Sequence, residues 1–236
     1  MIERDYALTH IVETLALLPA PDGLIFKGGT ALRLCFFADF RYSADLDFSL
    51  VGLPVEAVLE LVQRALEDVK ARIGIPHLEL VDGPPREIQY KGPLGRERRI
   101  KLDIADDELV IETQATALIG RYSDQSVPPP SITTYTLSEV VAEKLRCVIQ
   151  RVQCRDPFDL HRLLVEQGIE MQDAWPLFEQ KAEHKGLDPD SFDGRFDERE
   201  PMYRRRWTRE LSEHVSDVPH FERTMRELRR ELRNRR

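Results

Sequence analysis

The sequence predicts an α+β fold in which a mixed region of helices and strands precedes an all-helical region. Segments that alternate apolar and polar residues lie in the first half of the chain, and helical periodicity dominates the rest. Between the two regions, residues 123–134 include a triple proline, which excludes a helix and favours an extended linker. These observations predict two domains, residues 1–125 and residues 126–236.

The first elements follow from local periodicity. Residues 7–18 carry apolar side chains at helical spacing, and Leu24–Lys27 is a short apolar run that predicts a strand. A Gly-Gly turn then precedes a predicted apolar helix over residues 30–37. Residues 44–50 alternate strictly between apolar and polar side chains, which predicts a strand with one buried face.

An amphipathic helix and a group of strands complete the first region. The helix is predicted over residues 55–73, with Pro54 near its first turn and Gly74 at its end. Strand-like runs with Gly-Pro turns follow, at residues 77–81, 87–91 and 99–105, and a fourth is predicted at residues 109–114.

The second region is predicted to be helical throughout. Ser138 can cap a helix that runs to residue 152, and Asp156 with Pro157 can open another that stops at Gly168. The remaining predicted helices are residues 173–184 and 203–235, with an Asp-rich loop between them.

The composition is that of an ordinary globular protein. The chain has 236 residues, 42% of them hydrophobic and 32% charged, which excludes collagen-like, disulfide-rich and disordered proteins. The three cysteines form no C-x-x-C pair, which favours a reducing cytoplasmic location. No apolar run approaches the ~20 residues needed to span a bilayer, and we expect a soluble, untargeted chain with no membrane partner.

Positive charge is concentrated at the end of the chain. The net charge is −8, yet residues 201–236 hold 11 Arg against 6 Asp and Glu. Two interpretations stay open: a solvated helix with Glu–Arg pairs such as Glu222 with Arg226 and Glu227 with Arg230, or a phosphate-binding surface. The arginines on one predicted helical stripe are Arg223, Arg226, Arg230 and Arg233.

Residues 26–50 contain two acidic residues that are candidate metal ligands, and Asp103 is a third candidate. Asp45 and Asp47, at positions i and i+2 of a strand, point the same way and lie ~6.5–7 Å apart along it, so both can reach one cation or bridge two. Asp103 alternates with Leu102 and Ile104 and therefore faces away from the core, as a third ligand would need to. Carboxylate-only sites suit Mg²⁺ shared with substrate phosphates.

A glycine turn precedes these acids. Gly28, Gly29 and Thr30 stand between a predicted strand and a predicted helix, where backbone N–H groups can bind phosphate. Each feature by itself is common, since acidic residues often occupy the wet face of a strand and glycines often serve only a tight turn. Together they predict a nucleoside triphosphate site.

Four motifs in order resemble the AbiEii/AbiGii toxin family of nucleotidyltransferases. The first two are Gly-Gly-Thr-Ala-Leu at residues 28–32 and Arg-x-Ser-x-Asp-Leu-Asp-Phe at residues 41–48. Residues 139–145 resemble the helical lysine motif of the family, and residues 155–160 its terminal Arg-Asp-x-x-Asp-Leu motif. The resemblance covers about residues 20–165.

The resemblance implies a polymerase-β-like nucleotidyltransferase core with a mixed sheet, followed by a C-terminal helical bundle. It implies that Asp45 and Asp47 hold metal and that a third acid, best matched by Asp103, joins them. Roles in abortive infection or toxin–antitoxin systems, a cognate antitoxin, and RNA acceptors such as tRNA ends are also implied. Thr30 stands where many nucleotidyltransferases have Ser and keeps the hydroxyl, and Pro157 is unexpected within the last motif but tolerated at a first helical turn.

The downstream motif residues have alternatives. Lys144 lies on the apolar side of its predicted helix, where it either snorkels to solvent or reaches a triphosphate or a partner carboxylate. Asp156 is equally well explained as a helix N-cap or as an active-site acid, and Asp159 can support Lys144 or Arg41.

Residues near the acids are candidates for nucleotide binding. Arg41 and Ser43 either contact phosphate or close the loop before the strand, and Lys27 either contacts phosphate or is merely solvated. If the acceptor is tRNA, the predicted phosphate contacts are residues 201–236 with Arg96, Arg98, Arg99 and Lys101.

The leading hypothesis is Mg²⁺-dependent transfer of NMP from an NTP to an RNA hydroxyl, with two ions at the site. In it, Asp103 helps the acceptor hydroxyl lose its proton and Lys144 offsets charge on the leaving group. The alternatives are a small-molecule or protein acceptor, which the acidic body of the chain would suit if that acceptor is cationic, and a degenerate fold that only binds a partner.

Overall fold

Within residues 2–19, 21–75, 77–92 and 95–235, which it describes, the computed structural model contains a seven-stranded mixed sheet in the order β3-β4-β5-β2-β1-β7-β6. Strand β1 is antiparallel to β2 and parallel to β7, and β2 is parallel to β5. Strands β3, β4 and β5 form an antiparallel series. The strands are β1 (Leu24–Lys27), β2 (Leu46–Leu50), β3 (Leu78–Val81), β4 (Glu87–Lys91), β5 (Glu97–Ala105), β6 (Thr113–Ala117) and β7 (Ser131–Tyr135).

In the described part of the chain, three helices accompany the sheet and five follow it. They are α1 (Ile2–Leu17), α2 (Gly28–Ala31, continued as a π-helix over Leu32–Phe36), α3 (Val55–Ile73), α4 (Leu137–Gln150), α5 (Arg155–His161, continued as a π-helix over Arg162–Glu166), α6 (Met171–His184), α7 (Phe192–Leu211, preceded by the 3₁₀ turn Pro189–Ser191) and α8 (Phe221–Leu232). Among the described residues, no helix is both long and apolar enough to cross a membrane.

One face of the sheet packs against α1 and α3. Leu46 and Phe48 of β2 belong to a single buried cluster with Leu8 of α1 and Val62 of α3. The polar residues that alternate with them in β2 therefore lie on the opposite face. Helix α3 ends at Gly74, whose φ of +68° permits the left-handed C-cap.

Strand β7 begins within the segment that the sequence predicts to be a linker and ends one residue after it. It pairs with β1, with Phe26 opposite Thr134, and inserts between β1 and β6. The chain accordingly divides into two compact units after Thr134, nine residues later than the predicted boundary at 125. The predicted strand at 109–114 is displaced, since β6 covers Thr113–Ala117.

The second unit, described by itself, is helical as predicted. Helix α4 packs against α5, α6 and α7, and α8 packs against α5. The prediction of an Asp-rich loop over residues 187–200 is wrong from Phe192 onward, where α7 begins. Its buried residues lie at helical spacing along one face, which is the signal that the acidic side chains obscured; they are Phe192, Phe196, Tyr203, Trp207 and Leu211.

Candidate active site

The turn between β1 and α2 brings the backbone of Gly28 close to Asp47, one of the candidate catalytic acids. Gly28 has a φ of +78°, a conformation that side chains other than glycine's rarely adopt. A Cβ atom built on Gly28 would collide with the Asp47 carboxylate. The glycine therefore allows the turn to approach Asp47 directly.

The second glycine lies beneath two polar side chains from the loop before β2. A Cβ atom on Gly29 would stand 2.8 Å from Arg41 Nη2 and 3.0 Å from Ser43 Oγ. Arg41 and Ser43 are both buried. The structure thus brings both predicted nucleotide-binding side chains onto the glycine turn.

Thr30 joins this turn to the acids. Its hydroxyl donates a hydrogen bond of 2.5 Å to the carbonyl oxygen of Asp45, and the side chain is fully buried. The sequence predicts a phosphate contact for this hydroxyl, whereas the structure shows it positioning the residue that precedes β2.

The three aspartates lie on neighbouring chain segments. Strand β2 begins at Leu46, so Asp45 immediately precedes the strand and Asp47 is its second residue. Asp47 is in register with Asp103 of β5 on one side and with Lys27 of β1 on the other. Residues in register project from the same face of a sheet, so these side chains are neighbours.

Asp103 already has a cationic partner. Its carboxylate accepts a hydrogen bond of 3.0 Å from Lys101 Nζ, and its side chain is 56% exposed. Over the part of the chain that the structure describes, no three His, Cys, Asp or Glu side chains are grouped closely enough to hold a metal ion. The three aspartates nevertheless fit magnesium, because they offer carboxylate oxygens beside two glycines that have no Cβ atom.

In the second unit, Lys144 is buried among charged groups. Its ammonium lies 3.0 Å from Asp156 Oδ1 and 2.8 Å from Asp159 Oδ2. Arg151 Nε donates to Asp156 Oδ2 over 2.9 Å. Lys144 therefore does not snorkel to solvent: of the predicted contacts, the structure shows those with partner carboxylates.

The same contacts decide the local role of Asp156. The residue before α5 is Cys154, and no side chain caps this helix, so Asp156 is not its N-cap. Burial by itself would raise the pKa of Asp156, but the charge of Lys144 and the hydrogen bond from Arg151 hold it well below its usual range. Asp156 is thus an ionised, fully buried acid.

Arg33 makes a buried ion pair that the sequence reasoning missed. It lies on the π-helical end of α2, where it forms a buried ion pair with Asp5 of α1. Tyr122 donates a 2.8 Å hydrogen bond to the same carboxylate. An arginine inside the apolar run Leu32–Phe36 is the signal that could have found it.

The arginines of the last 36 residues form many ion pairs. Glu222 pairs with Arg204 and Glu227 with Arg223, so the two predicted pairings are wrong. Arg229 pairs with Glu200, and Arg235 with Asp193, both on α7. Most of this segment is therefore helical and joined by Glu–Arg and Asp–Arg ion pairs. The stripe residues stay exposed; they are Arg223, Arg226, Arg230 and Arg233.

A glycine turn at the start of a helix lies against an Asp-x-Asp segment and an in-register third aspartate, and this arrangement suits a nucleotidyltransferase. The family model of the nucleotidyl transferase AbiEii toxin, type IV toxin–antitoxin system, matches residues 10–228, and the chain belongs to this family. The protein is therefore a nucleotidyltransferase toxin, and its family implies a nucleotide substrate and a cognate antitoxin. The predicted family and enzyme class are confirmed.

One of the matching solved structures, MenT4, supports the fold. The chain is similar to MenT4, a nucleotidyltransferase toxin from Mycobacterium tuberculosis H37Rv, with a TM-score of 0.59 and 20% identity over 96% of this chain and 91% of that one. It also matches an antigenic nucleotidyltransferase-like protein from Paracoccidioides brasiliensis, with a TM-score of 0.44 and 11% identity over 83% and 92% of the two chains. The comparison with curated protein sequences gives no match. The match to MenT4 confirms the predicted α+β nucleotidyltransferase fold.

Proposed function

We propose that the protein transfers a nucleoside monophosphate from an NTP to a hydroxyl group of RNA, with tRNA as the acceptor and magnesium as the cofactor. The observation that carries the proposal is the contact between the Gly28 turn and Asp47, with Asp103 in register beyond it. This arrangement sets a phosphate-binding turn directly against a row of acids. The acceptor class is supported by the toxin family, since tRNA is a target through which transfer would be toxic.

The donor nucleotide belongs at the glycine turn. Backbone N–H groups at the start of the nine-residue helical segment from Gly28 to Phe36 favour a polyphosphate. Arg41 and Lys27 stand beside this turn and supply positive charge for the leaving pyrophosphate. Ser43 Oγ offers a further hydrogen bond on the same side.

Asp45, Asp47 and Asp103 would hold the metal. Bound there, magnesium would offset the negative charge of the phosphates and make the acceptor hydroxyl more acidic. Asp103 lies on the side of Asp47 away from the glycine turn, which suits it to face the acceptor.

The proposed reaction is a single displacement at the α-phosphorus. The acceptor oxygen forms a bond to this phosphorus while the bond to the bridging oxygen of the β-phosphate breaks, and pyrophosphate leaves. The hydroxyl proton passes to the Asp103 carboxylate and then to water. Lys144 and Asp156 stay predicted catalytic residues, and Asp159 stays a predicted nucleotide-binding residue. Their charges, with that of Arg151, balance within their own cluster.

The test is a labelling experiment. Purified protein is incubated with Mg²⁺, total bacterial RNA and each α-³²P-labelled NTP in turn, beside the Asp45→Ala variant and a chelator control. The expected result is label in a tRNA-sized band that falls roughly 10²–10³-fold in the variant, the scale of losing a main electrostatic group. Asp68→Asn, an exposed aspartate on α3, is the matched control and should label like wild type.

Two results would contradict the proposal. Undiminished labelling by Asp45→Ala would remove this site from the chemistry. Label on protein or a small molecule, with none on RNA, would change the acceptor class.

A further inference from the structure

A cleft of about 340 Å³ lies directly beside Asp103. Its walls are the turn between β3 and β4, residues 82–86, and residues 101–104 of β5. Two cations line it, Arg86 from the turn and Lys101 from the strand. Asp82 and Asp103 also line it, so the cleft holds two basic side chains and two carboxylates, on the β5 side of Asp47.

Both cations keep hydrogen-bond donors for a ligand. Among the described residues, Lys101 bonds only to Asp103, at 3.0 Å, which uses one of the three ammonium protons. Arg86 donates only through Nε, to Asp82 at 2.9 Å, which leaves both terminal nitrogens. Both ion pairs are partly exposed and are of the kind that another anion can displace.

The sheet order places this cleft on the acceptor side. Strand β2, with Asp47, stands between β1 and β5. The glycine turn at the end of β1 holds the leaving pyrophosphate in the proposed function. Because the attacking and leaving oxygens lie roughly in line through phosphorus, the acceptor must approach from the side of β5.

A further cation extends the cleft along the same strand face. Arg99 lies two residues before Lys101, which is ~6.6 Å along a strand, and both alternate with buried residues. Its side chain is 64% exposed and makes a 3.4 Å ion pair with Glu87, which is also opposite Lys101 in register. Of the four basic residues predicted from this stretch, only Arg99 and Lys101 share the face of Asp103.

We infer that this cleft is the acceptor-strand subsite: Lys101 and Arg86 bind the phosphodiester that precedes the reacting hydroxyl of an RNA acceptor, and Arg99 contacts the next phosphate. The inference rests on the proposed function, because that function sets the direction from which the acceptor enters. The ligand class is a polyanionic RNA backbone, recognised through its phosphates and not through its bases.

The experiment measures binding separately from chemistry. Fluorescence anisotropy with end-labelled total bacterial tRNA gives Kd at several salt concentrations for wild type, Lys101→Ala and Arg86→Ala. Each variant should raise Kd about 10-fold, the effect of losing one charge-assisted hydrogen bond. The slope of log K against log salt should fall by about 0.9 per lost phosphate contact.

Lys70→Ala is the matched control, because Lys70 is also a surface lysine with one carboxylate partner, Glu67, at 2.8 Å. It should bind tRNA like wild type. Steady-state kinetics supply the second readout: Lys101→Ala should raise KM for tRNA and leave KM for the NTP unchanged, and Lys101→Arg should restore most of the binding.

The outcomes separate the two proposals. If wild type labels RNA but Lys101→Ala and Arg86→Ala keep its Kd and salt slope, the cleft inference is overturned and the proposed function stands. If wild type labels no RNA, the proposed function fails, and absence of tRNA binding by the wild type overturns the inference as well. A raised KM for the NTP in Lys101→Ala would place the cleft on the donor side, against the inference.

Discussion

At the scale of single residues, the candidate site depends on how closely the backbone at Gly28 approaches Asp47. Gly28 is required twice, since its φ is positive and its missing Cβ makes room for Asp47. Gly52 also has a positive φ, of +67°, but has no atom within 4 Å of the Cβ position. The two glycines therefore separate backbone strain from the need for space at the acids.

This contrast gives the first prediction. Gly28→Ala should lose most transferase activity, because the new methyl group displaces the Asp47 carboxylate, and both Gly28→Ala and Gly52→Ala should lose about 1 kcal/mol of stability from strain. Transfer rates and thermal unfolding of the two variants measure this. Equal activity in both would show that the Gly28 turn is dispensable.

Thr30 supports a second prediction at the same scale. Thr30→Val removes the hydrogen bond to the Asp45 carbonyl, which costs about 0.5–1.5 kcal/mol and frees the residue before β2. Thr30→Ser keeps the hydroxyl and should retain activity. Comparable kinetics for Val and Ser, at equal folded fractions, would argue against a positioning role.

At the scale of elements, buried ion pairs hold helices in place. Lys144 of α4 bonds to Asp156 and Asp159 of α5, and Arg33 of α2 bonds to Asp5 of α1. Removing one partner of such a pair is costly, because the remaining charge stays buried without compensation. The apolar surroundings that a sequence shows at Lys144 do not reveal which acids complete the cluster.

Lys144→Met should therefore destabilise the protein by about 3–5 kcal/mol, because Asp156 and Asp159 lose the buried cation that lies within 3.0 Å of both. Lys70→Met, which removes a surface lysine, should change stability by less than about 1 kcal/mol. Urea unfolding at pH 7 measures both free energies. A wild-type midpoint for Lys144→Met would mean that the cluster contributes nothing to stability.

The same cluster predicts a pH dependence. Because the pKa of Asp156 is lowered in the folded protein, its contribution to stability is fully present above its unfolded pKa of about 3.9. It is lost as the pH falls through the lower folded value. Asp156→Asn should unfold with a shallower dependence of free energy on pH below pH 4, and a slope identical to wild type would contradict this.

At the scale of the whole molecule, the boundary between the two units depends on one strand. Strand β7 joins β1 to β6 across the sheet, so a division at residue 125 would remove β7 and leave β6 without its neighbour. A division after residue 135 keeps the sheet intact. The position of the boundary between the two units thus depends on strand pairing between segments about a hundred residues apart.

Fragments test this directly. Residues 1–135 should give a cooperative thermal transition, whereas residues 1–125 should melt at a lower temperature or stay partly unfolded, because a sheet face and an edge are exposed. Residues 136–236 should show a helical circular dichroism spectrum. Equal melting temperatures for the two N-terminal fragments would remove β7 from the stability of the first unit.

Local patterns in the sequence by themselves predicted the family and most of the elements, although not β7 or the start of α7. The glycine turn, the Asp-x-Asp alternation and the amphipathic helix over residues 55–73 each depend on neighbours within a few positions, and such patterns can be read directly. The motif order was specific enough to predict the nucleotidyltransferase family, which the family model confirms.

Only the tertiary structure decided which distant groups meet. It set Asp103 beside Asp47, inserted β7 next to β1, balanced Lys144 with two acids, and paired Arg229 and Arg235 with α7. Each of these depends on strand register or helix packing between segments far apart in sequence. No local periodicity carries that information, since register is fixed by burial of a whole face and by the partner that covers it.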